Sequence, residues 1–132
     1  MKDVVIVSAT RTPIGDFGGS LRDVPATSLV IVAIESFVKR AGIERKGINQ
    51  VIMGNCFEPL DQNVARIAAV KAELPIETPA FTVVATCGSG MQAIICGVQG
   101  IRDADGYRRG RRSRKYEHCS LYPDHITLGP TP

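Results

Sequence analysis

Apolar positions along this chain fall into two patterns: short solid runs, and longer stretches spaced three and four apart. Asp3–Ala9, DVVIVSA, is a β-branched apolar run, which predicts a buried strand. After Pro25 the spacing turns helical. Leu29, Val30, Val32, Ala33, Phe37 and Ala41 form a broad apolar face, with Thr27 or Ser28 as N-cap and Gly42 closing the helix. Ile43–Ile48 is a short polar connection. Gln50–Met53, closed by Gly54 and Asn55, predicts a second strand, and Cys56–Gln62, with Pro59, a loop. Asn63–Leu74 predicts a helix with an alanine-rich face, stopped by Pro75. Phe81–Ala85 predicts the third strand and Gly88–Arg102 the third helix, with Met91, Ile94, Ile95, Val98 and Ile101 at helical spacing. The order β-α-β-α-β-α predicts an α/β fold with a mostly parallel sheet and right-handed crossovers.

Between the first strand and the first helix, Thr10–Asp23 is rich in glycine and polar residues and predicts a long loop, of a length that is often functional. Arg11 within it suits a structural ion pair better than an anion contact. The 132 residues suffice for one domain of ordinary size. No run is long and apolar enough to span a membrane, and the N-terminus lacks the pattern of a signal peptide. Cys56, Cys87, Cys96 and Cys119 form no CxxC pair, so reduced thiols are expected in a cytoplasmic protein, with no metal site.

Charge divides the chain. Residues 1–106 carry ten Lys/Arg against eleven Asp/Glu, whereas residues 107–132 carry six against two. The body is nearly neutral and the basic character lies in the tail, GYRRGRRSRK onward, which lacks apolar periodicity and reads as poorly structured. Arg108–Lys115 would bind nucleic acid non-specifically at most. Tyr107 and Tyr116 merely flank it, and a nucleic-acid partner is not expected.

The stretch with the most chemistry is Pro79–Ala93, PAFTVVATCGSGMQA. A strand feeding a tight turn that opens a helix puts Cys87 at or beside a helix N-terminus, where backbone N–H groups favour a thiolate. The small residues after it allow a substrate carbonyl to approach the backbone. Two readings stay open at this point: a reactive nucleophile and a small buried thiol.

This segment resembles the nucleophile segment of the thiolases, the acetyl-CoA C-acetyltransferases and 3-ketoacyl-CoA thiolases. VVIVSATRTPIGDFGGSL, VIMGNCFEPLDQNVARIAA and CGSGMQAIICGVQGIRDAD match in order, covering Met1 to about Asp105. The resemblance implies the first part of a thiolase-like N-terminal domain over residues 1–105. It implies that Cys87 attacks an acyl-CoA, such as acetyl-CoA, to form a thioester, and that a second acyl-CoA then condenses with it, or the reverse. It also implies a homo-oligomer, coenzyme A thioesters as substrates with no further cofactor, and no membrane partner. Asn63, Ala65 and Arg66 match the family's Gln-Asn-x-Ala-Arg helix, where interface packing and N-capping are expected. Cys56 and Cys96 are expected to be packing residues.

The same resemblance places the activating histidine, a second proton-shuttling cysteine and most coenzyme A contacts in a C-terminal half outside these residues. His118, Cys119 and His125 match none of those motifs, so this chain alone is expected to be inactive in condensation. An alternative is a non-catalytic oligomerising domain. The tail itself has a further reading. With one choice of synonymous codons, Gly106–Leu121 read one base later encodes VIVVAGGVESMSTAPY, a thiolase-like continuation, so residues 106–132 are expected to be an out-of-frame translation.

Overall fold

The computed structural model describes residues 3–56, 62–107, 117–121 and 126–130, with side chains described as far as residue 103. Its elements are β1 (Val4–Ala9), α1 (Ala26–Ala41), a 3-10 turn at Arg45–Gly47, β2 (Ile48–Gly54), α2 (Val64–Lys71), β3 (Ala80–Val83), α3 (Ser89–Tyr107), β4 (Glu117–Leu121) and β5 (Ile126–Pro130). The predicted alternation through α3 is present. One sheet contains all five strands in the order β1-β5-β4-β2-β3. β2 runs parallel to β3 and to β4, while β5 is antiparallel to β4 and β1, so four of the five strands point the same way.

This strand order explains the layering. The step from β2 to β3 goes one way along the sheet, and the step from β3 to β4 goes back across β2. Crossovers of one hand therefore put α2 and α3 on opposite faces. The packing agrees. Val51 and Met53 of β2 join Val30, Ile34 and Phe37 of α1 and Val64, Ala65, Ala68 and Ala69 of α2 in one core. Ile52, which alternation turns to the other face, is fully buried, as is Ala93 of α3, and Ile101 of α3 is buried too. The alanine-rich face of α2 lets it approach both α1 and the sheet.

Several expectations are corrected. β1 is not buried on both faces: Ile6 is 57% and Val7 48% exposed. The exposure arises because β1 is an edge strand whose register shifts between Ile6 and Ser8, and the helices centre on β2. Neither Thr27 nor Ser28 caps α1. Pro25 occupies the N-cap position with no side-chain bond, Ser28 N donates to Pro25 O, and Thr27 is buried inside the helix. Gly42 does close the helix in the left-handed conformation, at φ 64°. Beyond residue 106 the sequence pattern predicts no sustained element, whereas the backbone there forms β4 and β5 by pairing with β2 and β1. The basic run Arg108–Lys115 and His125 lie outside the described residues. Among the described residues no helix is long and apolar enough to cross a membrane.

Candidate active site

Cys87 lies just past the carboxyl end of β3, two residues before α3. The carboxyl ends of parallel strands are where α/β sheets bind ligands, because the strand-to-helix turns open there. Its side chain is exposed, which removes the buried-thiol reading.

The turn that carries it is strained and tightly tied. Thr86 has φ 47°, a left-handed conformation that a β-branched residue rarely adopts. The expected permissive residues, Gly88 and Gly90, follow the cysteine, yet the left-handed residue precedes it. Such a conformation costs about 1–3 kcal/mol and persists only where its surroundings enforce it. The enforcing group is Ser89, which is almost wholly buried. Its hydroxyl donates to Thr86 O at 2.6 Å and accepts from Ala85 N at 2.8 Å. Backbone bonds close the same turn: Gly88 N donates to Ala85 O at 2.9 Å and Ser89 N to Thr86 O at 3.1 Å. Gln92 N donating to Gly88 O then begins the helical ladder. Replacing Thr86 with glycine is therefore expected to stabilise the fold by about 1 kcal/mol, measured by urea unfolding, because glycine adopts this φ without strain.

A second network fixes the strand that leads into the turn. Asn63 caps α2, its Oδ1 accepting from Arg66 N at 3.1 Å, and its Nδ2 donates to Ala80 O on β3 at 3.2 Å. Thr82 Oγ1 donates to the same Asn63 oxygen and accepts from Ala65 N. The Arg66 guanidinium donates to Thr78 O at 2.8 Å and Ile76 O at 2.9 Å, holding the segment that enters β3. The N-capping expected for this motif is thus present, and Asn63 and Arg66 also tie α2 to β3. Thr82, whose hydroxyl joins that network, carried no sequence signal, since threonine is unremarkable in a strand.

The other sequence-predicted positions divide. Cys96 is half-buried and its Sγ accepts from Gln92 Nε2 at 3.6 Å, within α3. Cys56 is exposed just past the end of β2, so it is not a packing residue. His118 and Cys119 pair in register with Gln50 and Val51 of β2. Gln50 lies four residues before Gly54, so His118 sits roughly 13 Å from the sheet end that bears Cys87. An apolar cavity of about 150 Å³ lies near that same end, lined by Thr12, Leu29, Met53, Gly54, Asn55 and Val64 among others.

The thiolase N-terminal domain family matches residues 4–106. The chain belongs to the thiolase family. It is 45% identical over 106 residues to an acetyl-CoA acetyltransferase of Cupriavidus necator, covering 80% of this chain and 27% of that protein. A mitochondrial acetyl-CoA acetyltransferase of Rattus norvegicus is 46% identical over an alignment of 140 positions that covers this whole chain and 31% of the rat protein. Among solved structures, an acetyl-CoA acetyltransferase of Bacillus anthracis superposes with a TM-score of 0.80 at 33% identity, over 92% of this chain and 29% of that one. The Acat5 thiolase of Ascaris suum, in complex with coenzyme A, superposes with a TM-score of 0.74 at 38% identity, over 77% and 27%. The chain thus spans between about a quarter and a third of the lengths of these thiolases.

Proposed function

We propose that this chain supplies the acyl-accepting half of a thiolase reaction, with Cys87 as nucleophile. The observation that carries the reading is an exposed cysteine on a strained strand-to-helix turn whose strain is held by a buried serine. The Cys87 thiolate adds to the thioester carbonyl of an acyl-CoA. The tetrahedral oxyanion collapses and expels the coenzyme A thiolate, which takes up a proton. The acyl group remains on Cys87 as a thioester. One thioester replaces another, so the step costs little free energy. The backbone N–H of Cys87 is a candidate oxyanion donor. Forming a carbon–carbon bond requires a base to make a carbanion from a second acyl-CoA, and among the described residues none is assigned that role. The coenzyme A bound by the Ascaris suum relative supports the substrate class.

Incubation with acetyl-CoA followed by peptide mass analysis tests the reading. An acetyl group on Cys87 is expected; folded protein without it, or with acetyl only on Cys56, overturns it.

A homo-oligomer is proposed as well. β3 is an edge of the described sheet, Val84 beyond it is 71% exposed, and Phe81, Met91 and Ile95 are exposed as well. An open strand edge with apolar flanks favours pairing with a second copy. Light scattering should give at least twice the chain mass, and a monomer at all concentrations would refute it. A cytoplasmic setting is proposed too, on the absence of a CxxC pair among the four cysteines. The out-of-frame origin of residues 106–132 is likewise proposed. The coding nucleotide sequence decides it: a shifted frame that does not encode AGGVESMS overturns the idea.

A further inference from the structure

We propose that Gly54 and Ser89 act together as positioning residues for Cys87: Gly54 sets how closely the first turn of α3 seats on the end of β2, and Ser89 couples that seat to the cysteine. The proposal rests on the reading of Cys87 as the nucleophile. Gly54 ends β2 and is buried. A Cβ placed on it would lie 2.5 Å from Gly90 N, Ser89 C and Ser89 O. All three are backbone atoms, so no flexible side-chain tip can swing aside. The backbone of Gly54 does not have a positive φ, and the requirement is therefore for space rather than for conformation.

The end of β2 has little freedom to yield. Gly54 is in register with Val83 of β3, and Asn55 N donates to Val83 O at 3.0 Å. A side chain at position 54 must therefore drive the Ser89–Gly90 peptide and the end of β2 apart. Movement at Ser89 cannot stay local, because its hydroxyl holds both Ala85 N and Thr86 O, on the two residues that precede Cys87. A shift at Gly54 is thereby passed to the strained Thr86 and on to the cysteine. Neither residue needs to touch substrate. Their effect is on the placement of the thiol at the start of α3, which governs its aim at a carbonyl.

The test uses the full chain with Gly54→Ala, Ser89→Ala and a control core variant, Ile34→Val, on the opposite layer. Two rates are read on Cys87 by peptide mass: acetylation by acetyl-CoA, and alkylation by iodoacetamide as a function of pH, with exposed Cys56 as the internal reference. Gly54→Ala and Ser89→Ala are expected to slow acetylation roughly tenfold to a hundredfold and to change the alkylation profile of Cys87 relative to that of Cys56, with Cys56 unchanged. Ile34→Val is expected to do neither. Acetylation and an alkylation profile at wild-type values in a folded Gly54→Ala variant would overturn the proposal. If Gly54→Ala does not fold, Ser89→Ala decides, since it adds no volume and removes only two hydrogen bonds. Absence of acetylation in the wild-type chain would refute the nucleophile reading instead, and the positioning role would then stand or fall on the alkylation profiles alone.

Discussion

Replacing Cys87 with serine is expected to slow acyl transfer from acetyl-CoA to residue 87 by at least about a thousandfold, with folding stability changed by no more than about 0.5 kcal/mol. The two halves of this expectation have separate physical grounds. The transfer step needs an ionised nucleophile. A cysteine thiol ionises appreciably near neutral pH, whereas a serine hydroxyl needs an adjacent base to act at all. Among the described residues, the hydrogen bonds that fix the turn bring no such base to residue 87. Stability should barely respond, because the bonds that fix the turn belong to Ala85, Thr86, Gly88 and Ser89, and the side chain of Cys87 is exposed. Peptide mass analysis after incubation with acetyl-CoA, together with urea unfolding, checks both. A serine variant acylated at a comparable rate would show that transfer does not pass through the thiol. A large loss of stability would show that the side chain is structural.

The contrast between Thr86 and Gly54 marks how far local sequence carries. The strand, the turn and the helix around Cys87 are legible because their apolar spacing switches from solid to helical at the CGSG motif. Gly42 as a helix stop is legible too, since left-handed closure is a property of one residue. The strain is not, because nothing in threonine marks it for φ 47°; Ser89 imposes that conformation through two hydrogen bonds. Gly54 read only as the end of a strand. Its actual constraint is the approach of a backbone 35 positions later in the chain, and no local pattern encodes that. β1 failed in the opposite direction. Its apolar run is compatible with burial on both faces, but burial depends on which helices cover it, and the helices cover β2.

The second large effect is on the fold. Replacing Phe37 with alanine is expected to lower stability by about 3–5 kcal/mol, a substantial share of the roughly 5–15 kcal/mol available to a domain. Phe37 is 1% exposed and sits in the cluster formed by α1, α2 and the Val51–Met53 face of β2. The neighbouring Ala65, Ala68 and Ala69 are too small to reach into the space an aromatic ring leaves, so the cavity would persist rather than collapse. Phe37 lies on the face of the sheet opposite α3, away from the turn that holds Cys87. Acylation should therefore fall only in proportion to the unfolded fraction, and recover at lower temperature or with added osmolyte. A Phe37→Ala variant that stays fully folded yet loses acylation would mean that the α1 layer shapes the thiol directly. A stability loss below about 1 kcal/mol would mean that the core repacks more freely than its alanine-rich walls allow.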